Sequence, residues 1–314
     1  MSNTLKSSLI SVIIPTYNRS HLIGKTLDSV RAQTYQHWEC LVIDDGSGDF
    51  TQELMEFYCE IDSRIKFFKR PDSKVKGANS CRNYGFEISK GEYINWFDSD
   101  DLMKDNFLVR KLAEFTDVVD MVISKSVLIS YNEEFVRKEG RTLMTDNLLE
   151  DFICLKVSWY LPDPMYNRKF LSGKKLFDED LFKGQDREFH IRRLLEDPHI
   201  KFLDEYLTRY RQSDFSISND FSTSVIKSNY DAIQRQINLV ISKSSSKKIR
   251  LFYLQDQIKK YPYLWKNKGV TRENYQLFYK LFNPDFKLVK WFIKYNLAVV
   301  SFNFFGKGQL FLKG

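Results

Sequence analysis

Cysteine is scarce in this sequence: Cys40, Cys59, Cys81 and Cys154 are the only four in 314 residues. They lie far apart and form no CxxC pair, which argues against a zinc site and against a disulfide framework. Such usage fits buried thiols in a reducing compartment. Histidine is equally sparse. His21, His37, His190 and His199 show no ligand spacing, so no histidine-held metal is expected. No apolar stretch approaches the roughly 18 residues that span a bilayer. The polar segment Met1–Ser8 and the short apolar run Leu9–Pro15 lack the layout of a signal peptide. A cytoplasmic location is therefore expected. Internal repeats are absent, and the only low-complexity stretch is Ser242–Lys248.

What is present is a substantial core and an uneven charge. The apolar fraction of 43% supports a folded chain rather than disorder. The net charge is +7, but from Lys243 onward 15 Lys and Arg face 3 acids, so that end carries +12 and the preceding 242 residues carry −5. A basic end on a mildly acidic body suits anionic lipid, nucleic acid or an acidic substrate. No nucleic-acid motif accompanies the lysines, so nucleic acid is not expected as a partner.

The first 125 residues alternate strand and helix signals. Leu9–Ile14 reads as a buried strand stopped by Pro15. Ile23, Leu27 and Val30 recur at helical spacing. Cys40–Ile43 is a second strand, ending in the turn formers Asp44–Gly48. Leu54, Phe57 and Tyr58 mark a second helix, and Ile65–Phe68 a third strand. A helix follows over Asn79–Ser89, ended by Gly91. Tyr93–Phe97 and Met121–Ile123 are further strands. This alternation predicts an α/β fold, a mainly parallel sheet with helices on both faces. From about Phe215 the pattern turns helical, over Val225–Ile241 and Ile249–Ile258. Residues 1–215 are thus read as one α/β domain and 216–314 as a basic, aromatic-rich helical appendage.

Ligands of such sheets bind beyond the carboxyl ends of the strands. Three polar clusters sit at those ends: Pro15-Thr16-Tyr17-Asn18-Arg19, Asp44-Asp45-Gly46-Ser47 and Asp98-Ser99-Asp100-Asp101. Three carboxylates within four residues repel one another, and a divalent cation offsets that repulsion. Oxygen ligands suit Mg²⁺ or Mn²⁺, and magnesium is commonly held by one or two carboxylates plus substrate phosphates. The same run also reads as a solvated turn, or as the cap of a helix starting near Leu102. An acid of the Asp44-Asp45 pair suits a nucleotide base or ribose, although turn chemistry accounts for Asp-Asp-Gly-Ser as well.

The ordered run of motifs resembles glycosyltransferase family 2, the large inverting family of GT-A (Rossmann-like) fold. The resemblance is carried by Ser11–Arg19, by Leu27-Asp28-Ser29-Val30 through Gln33-Thr34-Tyr35, and by Glu39–Ser47. Arg82-Asn83-Tyr84-Gly85, Gly91-Glu92-Tyr93-Ile94 and a DxD motif at Asp98-Ser99-Asp100 continue it. It covers roughly the first 105 residues densely. It implies that Pro15, Thr16 and Tyr17 line a nucleotide pocket and that Asp45, with Asp44, contacts the base. Arg82 would lie near the nucleotide or buttress the metal loop, with Ser99 beside it. Asp100 would be the chief metal ligand, and Asp98 would reach the sugar, the ribose or the metal shell.

The family's general base lies in a Glu-Asp pair opening a helix after a Gly. Here Gly184-Gln185-Asp186 occupies a similar place, so the resemblance implies Asp186 as base. An Asp there would equally serve a helix's first turn. Tyr210–Ser218 resembles the stretch after the last core strand, with Ser213 where many members carry a His. Trp159, Tyr160 and Tyr166 stand where an acceptor pocket would form, or belong to the core. Trp291, Phe292, Phe302, Phe304, Phe305 and Phe311, interleaved with Lys287, Lys290 and Lys294, suit a membrane interface. They suit a packed basic face as well.

These readings imply a metal-dependent glycosyltransferase using Mg²⁺ or Mn²⁺ and a nucleotide sugar, with a UDP-sugar expected as donor. The expected acceptor is a glycan or lipid-linked hydroxyl in cell-surface polysaccharide synthesis, met at the inner face of the cytoplasmic membrane. A nucleotidyltransferase on a related scaffold would want a Gly-rich basic loop after the first strand, which Pro15–Asn18 lacks. A catalytically degenerate membrane- or partner-binding module fits poorly with an intact acidic run.

Overall fold

A computed structural model describes residues 7–130, 132–138, 145–212, 223–244, 246–266, 281 and 286–305. Strands β1 (Ile10–Thr16), β2 (Trp38–Asp44), β3 (Ile65–Lys69) and β4 (Tyr93–Trp96) pair in parallel, in the order β3-β2-β1-β4. Helices α1 (Ser20–Arg31), α2 (Thr51–Ile61) and α3 (Ala78–Ile88) connect them. β1 and β2 are buried at every residue, which is why Val12–Ile14 and Cys40–Ile43 read as apolar runs, and the buried Ser11 hydroxyl donates to Glu39 Oε1 at 2.8 Å. Side chains alternate across the sheet. Ile10, Val12 and Ile14 join a cluster with Leu27 of α1 and Met55 of α2. Ile13 faces the other way and joins Cys81 of α3. Helices therefore cover both faces.

Two glycines permit close approach. A Cβ on Gly85 of α3 would stand 2.3 Å from Ile13 Cγ2, and one on Gly91 would stand 2.5 Å from the Ser11 backbone nitrogen. Gly91 is thus needed for packing beside β1. Helix α3 ends earlier, at Ile88 with Ser89 following it.

Beyond β4 the sheet is mixed. Strand β5 (Leu102–Met103), helix α4 (Phe107–Leu112), strands β6 (Met121–Ile129) and β7 (Phe135–Lys138), and helix α5 (Leu148–Ile153) come next. Strand β8 (Pro164–Asn167), helices α6 (Arg168–Leu171) and α7 (Gln185–Leu194) and strand β9 (Ile200–Arg211) follow. β8 runs antiparallel to both β4 and β6, whereas β6 and β9 are parallel. Leu102 does not begin a helix: it enters β5, which pairs with β9, so the capping reading of Asp100 or Asp101 is corrected. Tyr210 and Arg211 end β9 rather than following it, while Ser213 lies outside the described residues.

The C-terminal helices are α8 (Thr223–Lys243), α9 (Lys247–Lys266) and α10 (Phe286–Phe305). They are not detached from the core. Ile233 and Ile237 of α8, Tyr253 and Leu254 of α9, and Ala298 and Val299 of α10 join the same cluster as Phe189 of α7. The boundary expected near residue 215 falls outside the described residues, as do residues 306–314. Cys40 and Cys81 are buried and Cys59 and Cys154 half-buried, all as free thiols. No helix among the described residues is long and apolar enough to cross a membrane.

Candidate functional site

The register sets the three polar clusters side by side. Thr16 pairs with Asp44 across β1 and β2, and Ile13 with Trp96 across β1 and β4. All three parallel strands therefore release their loops at one sheet edge. The first two loops are stapled together. Asn18 takes a left-handed φ of 52°. Its backbone N–H donates to Ser47 Oγ at 2.8 Å, and its Oδ1 accepts from Gly48 N at 2.8 Å.

Asp44 and Asp45 divide the work. Asp44 accepts from Gly46 N at 3.1 Å, from Ser47 N at 3.0 Å and from the Ser47 hydroxyl. Its carboxylate thus closes the turn. Asp45 accepts from Arg70 Nε at 2.6 Å and from Gly77 N at 3.1 Å. Thr16 Oγ1 is buried without a partner among the described residues, and the Lys76 ammonium lies 4.5 Å over the exposed Tyr17 ring.

The acidic run is held from two sides. Arg82 donates from Nη2 to Asp98 Oδ1 at 2.9 Å and from Nη1 to Asn79 Oδ1 at 3.1 Å. Arg211 reaches it from β9. Its backbone N–H donates to Asp101 Oδ1 at 3.0 Å, its Nε to the Asp100 carbonyl, and its Nη2 to Leu22 O at 3.2 Å. Asp101 is therefore a fastening to β9. Ser99 is buried, its carbonyl accepting from Thr26 Oγ1 at 2.9 Å. Burial and the neighbouring Asp98 push the Asp100 carboxyl up, while Arg19 opposes the shift.

Asp186 arrives from the other half of the fold. Gly184, with a left-handed φ of 75°, turns the chain into α7, and Asp186 sits in its first turn. Its Oδ1 accepts from Arg187 N at 2.7 Å. Burial pushes the Asp186 carboxyl up; among the nearby charges, Arg82 lowers it and Asp98 raises it. That electrostatic coupling joins Asp186 to the acidic run.

Of the site residues expected from sequence, all but Asp44 border one cavity of about 350 Å³. Arg19, Tyr160, Gln185 and Tyr210 border it too. Of these, Arg19 belongs to the first cluster and Gln185 to the α7 opening. Tyr160 and Tyr210 stack at 4.6 Å with an interplanar angle of 19°, a pairing between residues 50 positions apart that no local pattern announces. Tyr166 is fully buried in the core and Trp159 nearly so. A larger groove of about 570 Å³ lies elsewhere, beside Glu87 and Asp178, away from these residues.

Residues 11–191 match the family described as Glycosyl transferase family 2. The chain belongs to this family. It is 29% identical over 220 residues to the uncharacterized glycosyltransferase EpsJ of Bacillus subtilis, covering 67% of this chain and 63% of EpsJ. It is 27% identical over 252 residues to the glycosyltransferase GlyA of Streptococcus pneumoniae, covering 74% of this chain and 34% of GlyA. The chain thus spans less than two thirds of the length of these relatives. Its fold is similar to that of S. aureus TarS 1–349 in complex with UDP-GlcNAc, with a TM-score of 0.64 and 19% identity over 93% of this chain and 82% of that one. It is also similar to the mannosyltransferase PcManGT from Pyrobaculum calidifontis in complex with GDP-Man and Mn²⁺ (TM-score 0.54, 14% identity, 96% and 84% coverage). These likenesses agree with the GT-A arrangement of the family.

No cluster of three or more His, Cys, Asp or Glu side chains suited to a metal occurs among the described residues. A magnesium-type ion held by one or two carboxylates and substrate phosphates requires none. Asp98 and Asp100 both face the cavity, and Asp100 carries the repulsion that a cation relieves. This donor set fits Mg²⁺ or Mn²⁺.

Proposed function

We propose that this chain transfers a sugar from a nucleoside-diphosphate sugar to an acceptor hydroxyl, with inversion at the anomeric carbon. The observation that carries this reading is the convergence of Asp45, Arg82, Asp98, Asp100 and Asp186 on one cavity. Family membership supports the activity, and a neighbour solved with UDP-GlcNAc supports UDP as the nucleotide. The role in cell-surface polysaccharide synthesis follows the family resemblance.

In this reading Pro15, Thr16 and Tyr17 wall the nucleotide, and Asp45 accepts from its base. The unmet Thr16 Oγ1 gains a partner there. Asp98 and Asp100 would hold Mg²⁺ or Mn²⁺, which supplies positive charge opposite the diphosphate as it leaves. Arg82 keeps Asp98 turned toward the cavity. Asp186 takes the proton of the acceptor hydroxyl, and the burial that pushes its carboxyl up strengthens it as a base.

The C-terminal region adds a surface. Ile293, Leu297, Val300 and Phe304 of α10 are exposed at helical spacing, while Tyr295, Ala298 and Val299 on the same helix are buried. With the +12 charge of this end, the stripe suits an anionic bilayer surface. A peripheral position at the inner face of the cytoplasmic membrane follows, with a glycan or lipid-linked acceptor.

The test is calorimetric binding of UDP-, GDP- and dTDP-sugars with Mn²⁺, repeated with EDTA, followed by donor turnover. Metal-dependent binding of one nucleotide class is expected. No binding of any donor with metal present would overturn the reading.

A further inference from the structure

One wall of the cavity is fastened by buried charge. Tyr160 and Leu161 border the cavity and belong to a turn, residues 160–163, that leads into β8. Asp163 closes this turn at both ends. Its backbone N–H donates to the Tyr160 carbonyl at 3.1 Å, and its Oδ2 accepts from the Tyr160 backbone N–H at 2.8 Å. Its Oδ1 accepts from the Ser126 hydroxyl of β6 at 2.5 Å. The Lys111 ammonium of α4 donates to the Asp163 carbonyl. Asp163 is 1% exposed and Lys111 is fully buried. Neither residue borders the cavity itself.

Both charged groups lose their hydration here. Burial, opposed by the Asp163 charge, pulls the Lys111 ammonium down to about 7, and burial pushes the Asp163 carboxyl up against the pull of Lys111. Buried opposite charges seldom add net stability over apolar side chains of the same volume. Apolar packing would fill the space under the turn, but it would not fix the direction in which Tyr160 leaves the chain. A satisfied polar network does fix it. That direction sets a contact at the site. Tyr160 stacks on Tyr210 of β9, with ring centroids 4.6 Å apart. Tyr210 stands beside the acidic run: burial, then the charges of Asp101, Asp98 and Asp100, push its phenol up. In the transfer reading the acidic run meets the diphosphate, so the stacked rings flank the sugar attached to it.

We propose that Lys111 and Asp163 are positioning residues for the donor sugar, holding Tyr160 against Tyr210 so that the stacked rings form the sugar-facing wall of the cavity. The proposal rests on the glycosyl-transfer reading above. Asp163 acts through the Tyr160 backbone, and Lys111 through Asp163.

The experiment pairs calorimetry with amide hydrogen exchange, on the full chain with MnCl₂. UDP is compared with UDP-glucose, UDP-galactose and UDP-N-acetylglucosamine. Asp163→Ala removes the fastening and should speed exchange of the Tyr160 amide. It should lower affinity for the sugar-bearing donor about tenfold while UDP affinity stays within about twofold, which also shows that the variant folds. Asp163→Asn keeps an oxygen for the Tyr160 N–H and should restore most of the donor affinity. Lys111→Met should fall between the two. Tyr160→Ala should weaken the same donor by a similar factor, and adding Asp163→Ala to it should bring no further loss, because both act through one ring. Additive losses, unchanged donor affinity in Asp163→Ala, or equal losses for UDP and the UDP-sugar would each overturn the proposal. No binding of UDP or of any UDP-sugar by the unsubstituted chain would instead strike the donor reading itself. Exchange at Tyr160, measured without ligand, would then still decide whether Asp163 holds that residue.

Discussion

Arg82 and Asp98 meet at 2.9 Å across a sequence separation of 16, joining the helix before β4 to the loop after it. The guanidinium also holds Asn79, and it lies near enough to Asp186 to lower its carboxyl. One cation thus serves acids from both halves of the fold. Arg82→Lys keeps the charge and loses the two-pronged geometry. It should weaken donor binding by about tenfold, since a hydrogen bond to a charged group contributes roughly 1.5–3 kcal/mol. Isothermal calorimetry with UDP and Mn²⁺ measures this, and an unchanged affinity would show the pair to be purely structural.

Asp186→Asn should separate binding from chemistry. Its side chain is nearly isosteric, so donor affinity should stay close to that of the parent. Transfer should fall by roughly 10²–10⁴-fold, the usual share of a positioned general base. Full turnover in this variant would remove Asp186 from the mechanism.

Gly184 places Asp186. Its left-handed φ of 75° disfavours any side chain, and a Cβ there would stand 3.0 Å from Ala232 Cβ and 3.1 Å from Asn229 Oδ1. Gly184→Ala should cost about 1–3 kcal/mol of stability through backbone strain. A thermal melt should show a lower Tm, and turnover should drop while UDP binding persists. An unshifted melt would mean that the turn relaxes without strain.

His190 makes the fold acid-sensitive. Burial pushes its imidazole down to about 3, whereas an unfolded histidine titrates near 6.5. The unfolded chain therefore takes up the proton first as pH falls. Stability from this group is complete above about 6.5 and declines toward about 3, by at most about 1.4 kcal/mol per pH unit. His190→Gln should flatten that part of the urea-unfolding profile. A profile with the same slope between pH 6.5 and 4 would assign the acid sensitivity to other groups.

The α10 stripe predicts lipid binding. Removal of residues after 285 should reduce sedimentation with phosphatidylserine vesicles, and Leu297→Glu should do so without loss of the core helices. Each lysine near such a surface adds about 1 kcal/mol at low salt, so binding by the parent should weaken as salt rises. Equal sedimentation of parent and truncated chains would refute the surface assignment.

The parallel half of the sheet was legible because β1, β2 and β4 are short apolar runs, each closed by polar residues. The mixed half was less so. β8 opens with Pro164, a residue that reads as a strand breaker, yet at the first position no ladder donor is required. β9 carries charged and apolar residues with register shifts against β6, which blur the period of two. Within the site, the family resemblance puts Asp45 ahead of Asp44, and the structure adds the physical reason: Asp44 turns back into its own loop while Asp45 borders the cavity. Tyr210 reads in sequence as following the last core strand, and its stacking on Tyr160 at the cavity goes unread because β9 joins the sheet far from the acidic run in sequence. The tail's aromatics left a membrane surface and a packed face both open, and Tyr295, Ala298 and Val299 of α10 do join the core cluster.

The reversal of β8 has a consequence for how the cavity is walled. Because β8 runs against β4, the segment leading into it, with Tyr160, arrives at the same edge as the loop leaving β4. Asn95 of β4 donates to the carbonyls of Pro162 and Pro164 at 3.0 and 2.8 Å, fixing that arrival. One wall of the cavity thus comes from loops of the parallel strands and the opposing wall from segments threaded afterward, so a substitution at Tyr160 or Tyr210 alters one wall and leaves the other standing.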